Sequence, residues 1–100
     1  MLTSKQRAYL RAEANSLPTI LIIGKQGVSD DVIQQADDAL RKRELVKCKV
    51  LETAPKVPRD VADEIAAETG SEVVQVIGTK FILFRQKDKE KEQIYHLPRA

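Results

Sequence analysis

The run Thr19-Ile20-Leu21-Ile22-Ile23 constrains this sequence most, because two glycines and a helix cap come directly after it. It is β-branched and apolar on both faces, which predicts a buried inner strand. Gly24 and Gly27 break the run. Ser29 then offers a helix N-cap, with Asp30 and Asp31 suited to the positive end of the helix dipole. Val32, Ile33, Ala36, Ala39 and Leu40 recur at helical spacing and predict a helix to about Arg43. The next β-rich run, Leu45 to Leu51, places Val46, Cys48 and Val50 on one face and Lys47 and Lys49 on the other. One face of that strand should be packed and the other wet and basic. Strand, glycine loop, helix and strand make a β-α-β unit, and such units argue for parallel pairing through a right-handed crossover.

The flanking sequence completes the pattern. Thr3 followed by Gln6 fits a capping box, so a first helix should start at Ser4 and end before Pro18. Pro58 suits the first turn of a third helix. Val61, Ala62, Ile65 and Ala66 are its apolar stripe and Gly70 its C′ residue. Glu72 to Ile77 and Lys80 to Arg85 are β-rich runs that Gly78-Thr79 joins as a hairpin. From Gln86 to Glu92 the chain is almost wholly charged and should be a loose tail. The expected fold is α/β, in the order α-β-α-β-α-β-β: a four-stranded mixed sheet packed with three helices. The chain should divide into one domain over 1–85 and a charged C-terminal tail over 86–100.

Composition narrows the partners. The 100 residues carry a net charge of +2, but the first fifty hold nine Lys/Arg against six Asp/Glu, while the second fifty hold eight against nine. Basic residues gather at Lys5, Arg7 and Arg11, and again at Arg41, Lys42, Arg43, Lys47 and Lys49. A basic side on a near-neutral domain is compatible with a polyanion, as it is with a plain solvated surface. The longest apolar run is far short of a membrane span, and no apolar stretch follows the N-terminus as in a signal peptide. A single cysteine, Cys48, fits a reducing cytoplasm.

Gly24-Lys25-Gln26-Gly27 is the candidate site. Two missing Cβ atoms let another backbone approach closely. Amides at the loop and the first helical turn lack helical partners and suit phosphate oxygens, with Lys25 adding charge at the tip and Gln26 a neutral donor and acceptor. A sharp β-α turn would explain the glycines equally well. Asp30 and Asp31 repel an anion placed along the helix axis, so a nucleic-acid strand should cross the loop tip. The loop resembles the Gly-x-x-Gly clamp of KH domains.

Other chemistries lack material. A P-loop needs a glycine where Thr19 stands and a Ser/Thr after the lysine; a dinucleotide fingerprint is absent. His96 is the only histidine, which leaves no His-based triad or metal site. Cys48 should point into the core. Asp37/Asp38 and Asp63/Glu64 are sequence neighbours on helices and do not face each other. No enzyme is expected, and no cofactor or metal.

Further residues carry a family resemblance. Leu2-Thr3-Ser4-Lys5-Gln6-Arg7 with Leu10-Arg11, Ile23 to Val28, Ala39-Leu40, Glu44 to Lys47, Val74 to Gly78 and Leu83-Phe84-Arg85 together resemble the YhbY-like CRM domain (chloroplast RNA splicing and ribosome maturation). The match is collinear over roughly residues 2 to 85. The chain departs from the family pattern at Asn15, Cys48, Thr79 and Phe84, none of them in the loop.

The resemblance implies a fold similar to the C-terminal domain of translation initiation factor three. It also implies a cytoplasmic, stand-alone RNA-binding protein associated with precursors of the large ribosomal subunit. The expected RNA contacts are Gly24, Lys25, Gln26 and Gly27, extended by Lys5, Arg7, Arg11, Lys47 and Lys49. The place of Arg41, Lys42 and Arg43 is left open. A monomer contacting ribosomal RNA without a small-molecule cofactor is expected. The alternative is an adaptor that meets the ribosome through a protein partner.

Overall fold

A computed structural model describes residues 2–99; Met1 and Ala100, the outer ends of the expected domain and tail, lie outside the described residues. The capping box forms: Gln6 N donates to Thr3 Oγ1 and Thr3 N to Gln6 Oε1, each at 3.1 Å, and α1 runs Ser4–Ala14. β1 is Thr19–Ile23. α2 is Asp30–Arg43, capped by Ser29, whose Oγ accepts from Val32 N at 3.2 Å. β2 is Leu45–Val50 and α3 is Pro58–Thr69, which stops at Gly70 in the left-handed conformation (φ +68°). β3 (Glu72–Ile77) and β4 (Lys80–Phe84) form the expected hairpin. A short 3-10 turn comes next at Glu90–Glu92.

The sheet order is β1-β2-β4-β3. β1 and β2 are parallel, and β4 is antiparallel to both its neighbours. β3 therefore runs in the same direction as β2, with β4 inserted between them. The α/β fold, with its four-stranded mixed sheet and three helices, is as the sequence indicates.

β1 differs from expectation, because it is an edge strand. Leu21 and Ile23 are buried under the helices, but Ile20 and Ile22 are 38% and 57% exposed on the other face. α2 and α3 cover only the first face, and α1 does not reach the outer corner of the second.

Strand alternation makes two cores. On the first face Leu21, Ile23, Val46, Cys48, Val50, Phe81 and Leu83 meet Ala36 and Leu40 of α2 and Val61, Ala62 and Ile65 of α3. On the second face Leu45, Val74, Ile82 and Phe84 meet Leu10 and Ala14 of α1. Each fully buried aliphatic side chain is worth about 1.5–3 kcal/mol by area. Cys48 points into the first core as expected, and burial pushes its thiol pKa up to about 12.

The charged tail is not loose. Tyr95 and Leu97 pack on the second core, and Gln6 Nε2 donates to Pro98 O at 3.0 Å. The fastening is Glu44, which is fully buried with φ +64° at the end of α2. Its carboxylate accepts from three backbone amides: Lys87 N at 2.7 Å, Ile94 N at 2.8 Å and Tyr95 N at 2.9 Å. A run of charges predicts solvation, but one buried carboxylate fastens the backbone near both ends of that run, at Lys87 and at Ile94 and Tyr95 just beyond it. Nearby, Arg85 donates to Asp37 Oδ1 and to Thr69 O, each at 2.7 Å, tying β4 to α2 and α3. Its hydrogen bond holds the Asp37 carboxyl below its ordinary pKa.

Candidate nucleic-acid interface

The Gly24–Gly27 loop leaves the sheet where β1 ends. Gly27 N donates to Gly24 O at 2.9 Å, which makes Lys25 and Gln26 the central residues of a tight turn. Both are exposed, while Gly27 is buried. Gly27 has φ +66°, and a Cβ there would stand 2.9 Å from Pro55 Cγ. A Cβ on Gly24 would stand 3.4 Å from Leu51 Cδ1. Gly27 thus has a local reason: the connection between β2 and α3 presses against it and the turn needs a left-handed residue at its close, whereas a Cβ on Gly24 would make only ordinary contact.

The surface outside that packing is polar. Among the described residues, the amides of Lys25, Gln26 and Val28 make no hydrogen bond, whereas Ser29 N donates to Gly27 O at 3.1 Å. The exposed centre of the turn thus carries two unbonded amides and the Lys25 side chain, and a third unbonded amide, Val28 N, follows just after Gly27. Behind it Asp31 accepts from Gln35 Nε2 at 2.8 Å, and Asp30 is exposed. Beside it lies a small cavity of about 140 Å³, lined in part by Gln26, Pro55 and Val61. Lys56 flanks that cavity and pairs with Glu64 at 2.9 Å; the hydrogen bond raises the pKa of Lys56.

The other sequence-indicated residues divide by position. Lys47 and Lys49 lie on the second face, with Lys49 toward the end from which the loop emerges. α1 packs over the opposite end, against Leu45 and Phe84. Lys5 and Arg11 on α1 are exposed there, and the two ends are about 16 Å apart at 3.3 Å per residue. Arg7 is half-buried, and its guanidinium donates to Val73 O and, at 3.0 Å, to Val74 O, where the register of β3 slips. Both bonds come from one guanidinium nitrogen, Nη1, and tie α1 to β3. Arg41 pairs with Asp37 and Asp38. With Lys42 and Arg43 it stands at the C-terminal end of α2, about 20 Å along that helix from the loop.

Lys80 is the basic residue missed in the sequence. It lies directly opposite Lys49. The hairpin signal places Lys80 beside Ile77, but nothing local tells that β4 inserts next to β2.

These elements define an α/β domain with a Gly-x-x-Gly turn between an edge strand and an N-capped helix. A family model of the CRS1 / YhbY (CRM) domain matches residues 2–85, and the chain belongs to that family. It is 40% identical over 94 residues to the Probable RNA-binding protein YqeI of Bacillus subtilis, an alignment covering 94% of this chain and 97% of that one. It is 34% identical over 100 residues to the Probable RNA-binding protein MJ0652 of Methanocaldococcus jannaschii, covering 98% of this chain and 74% of the relative. The solution structure of SAV1595 from Staphylococcus aureus superposes with a TM-score of 0.79 at 40% identity, covering 98% of this chain and all of that one. Among the described residues no helix is long and apolar enough to cross a membrane.

Proposed function

We propose that this protein binds RNA, associates with precursors of the large ribosomal subunit in the cytoplasm and assists their assembly without catalysing a reaction. The observation that carries the reading is the turn itself, where the exposed Lys25 and Gln26 have unbonded amides and Val28 N just beyond is also unbonded. Amides aimed outward from a fixed turn bind phosphate oxygens without further ordering, and a lysine adds the long-range attraction. The names of the relatives agree with an RNA partner. The ribosomal assignment rests on the resemblance to stand-alone YhbY-type proteins.

Gly24, Lys25, Gln26 and Gly27 hold the RNA backbone in this reading. Lys47 and Lys49 continue the basic track across the sheet. Lys5, Arg7 and Arg11 add charge from a second site at the far end, with Arg7 also tied to β3 through Nη1. With two Tyr, two Phe and no Trp, base stacking on aromatic platforms is a minor part of binding. Engaging about four phosphates of single-stranded RNA gives a log–log salt slope near −3.

The test is a gel-shift titration of the full chain against a large-subunit ribosomal RNA fragment. Lys25→Glu is expected to weaken binding about tenfold or more, because one phosphate exchanges a cation for a repelling carboxylate, with an unchanged melting temperature. Unchanged affinity overturns the assignment of the loop. The adaptor reading draws on the exposed Ile22 and Ile77 and expects weak, salt-insensitive association with isolated RNA.

A further inference from the structure

The second face of the sheet is covered at the end where α1 lies and bare at the end where the loop emerges. At the bare end each strand contributes one residue to a row. Ile22 of β1 stands beside Lys49 of β2, Lys49 opposite Lys80 of β4, and Lys80 opposite Ile77 of β3. The row spans three strand spacings, about 14 Å. Ile22 is 57% and Ile77 64% exposed. Lys47 stands one pleat further in, opposite the buried Ile82. Among the described residues, no carboxylate pairs with Lys47, Lys49 or Lys80.

Two unfavourable features therefore coincide in the free protein. Like charges directly opposite one another destabilise an antiparallel pair. Exposed isoleucines on both sides of that pair leave apolar surface in water. A ligand relieves both only if it is anionic and also presents apolar faces a few ångströms from its charge. Single-stranded RNA has that chemistry, with a phosphate between successive uncovered bases. A duplex matches the lysines alone, because its base faces are hidden in the stack. An acidic protein could match both, but position favours RNA: Ile22 lies two residues before Gly24, so the row adjoins the start of the proposed phosphate-binding turn.

We propose that the bare end of the sheet is a second RNA-binding surface. A single strand leaving the Gly24–Gly27 loop crosses the four strands, with a phosphate between Lys49 and Lys80 and bases against Ile22 and Ile77. The inference rests on the reading of this chain as an RNA-binding protein and deepens it. It adds Lys80 and two isoleucines to the site and selects single strands over duplexes.

The experiment titrates the full chain by fluorescence anisotropy against a short labelled single-stranded oligoribonucleotide and its duplex, over a range of salt. The double variant Lys49→Gln/Lys80→Gln should bind the single strand about tenfold more weakly. Its log–log salt slope should be shallower by about 0.7, the value for the one phosphate that the two lysines share. Ile22→Ser/Ile77→Ser should lose about fivefold on the single strand, with the salt slope and duplex affinity unchanged, as expected for partial burial of two aliphatic side chains. All four positions are at the surface, and thermal melts check that each variant folds.

Wild-type affinity in the lysine variant, while Lys25→Glu weakens binding, overturns the sheet surface and leaves the loop standing. Weakening by the lysine variant alone supports the sheet surface and removes the loop. Equal affinity for duplex and single strand, or isoleucine variants that bind RNA normally, overturns the base contact and assigns the isoleucines to a protein partner. A wild-type chain with no salt-dependent RNA affinity overturns both readings.

Discussion

At one end of the sheet's second face, Leu45 and Phe84 lie under α1 and the C-terminal segment, beside a carboxylate whose oxygens accept three amides. Four residues along β2 and β4, Ile22, Lys80 and Ile77 are exposed and Lys49 is half-exposed, and among the described residues no carboxylate pairs with either lysine. The two ends share strands, register and pleat, so the difference is in what covers them. The closed end places a charge inside and satisfies it completely. The open end leaves like charges side by side and apolar groups exposed. Uncovered cost in a small domain marks a surface that meets something else.

The largest expected effect is at the closed end. Glu44→Ala removes the acceptor from three amides at once. Each orphaned buried donor costs about 1–3 kcal/mol, so the loss should be about 3 kcal/mol or more, seen as a lower denaturant midpoint. A loss under about 1 kcal/mol, with the tail still protected from proteolysis, would show that Tyr95 and Leu97 alone hold the segment.

Gly27→Ala is the intermediate case, because its φ is +66° and its Cβ would meet Pro55 at 2.9 Å. Forcing a side chain into the left-handed region costs about 1–3 kcal/mol. Chemical denaturation measures this, and a neutral result means that the turn yields and is not a fixed cradle for phosphate.

The smallest effect has the opposite sign. Lys80→Glu converts a repulsion with Lys49 into an attraction, and such cross-strand terms are about 0.2–1 kcal/mol. The variant should melt slightly higher than wild type and bind single-stranded RNA less well. A lower melting temperature would mean that the lysine pair is not a strained contact, and the contrast between the ends would soften.

Local signals carried most of the architecture. Thr3 with Gln6, Ser29, Pro58 with Gly70, and the Gly78-Thr79 hairpin each act within a few residues, and each stands where the sequence indicated. What escaped was non-local. The β-branched run of β1 reports a preference for extended backbone, which an edge strand and an inner strand share, so the exposure of Ile20 and Ile22 was illegible. Arg7 read as surface charge because the carbonyls of Val73 and Val74 that engage it lie more than sixty residues away. The burial of Glu44 escaped because its three amide partners lie more than forty residues away in the C-terminal segment. Within the candidate site the loop was legible and Lys80 was not, because its meeting with Lys49 depends on strand order.

Cys48 sits at zero exposure in an inner strand, on the side of the larger core, with burial favouring its protonated thiol. Thiolate is the reactive form, so reagents reach this sulfur only when the sheet opens. The chain therefore carries its own clock. The labelling rate of one native atom counts global openings without an added probe, and can time the closed-end and open-end variants on a single scale.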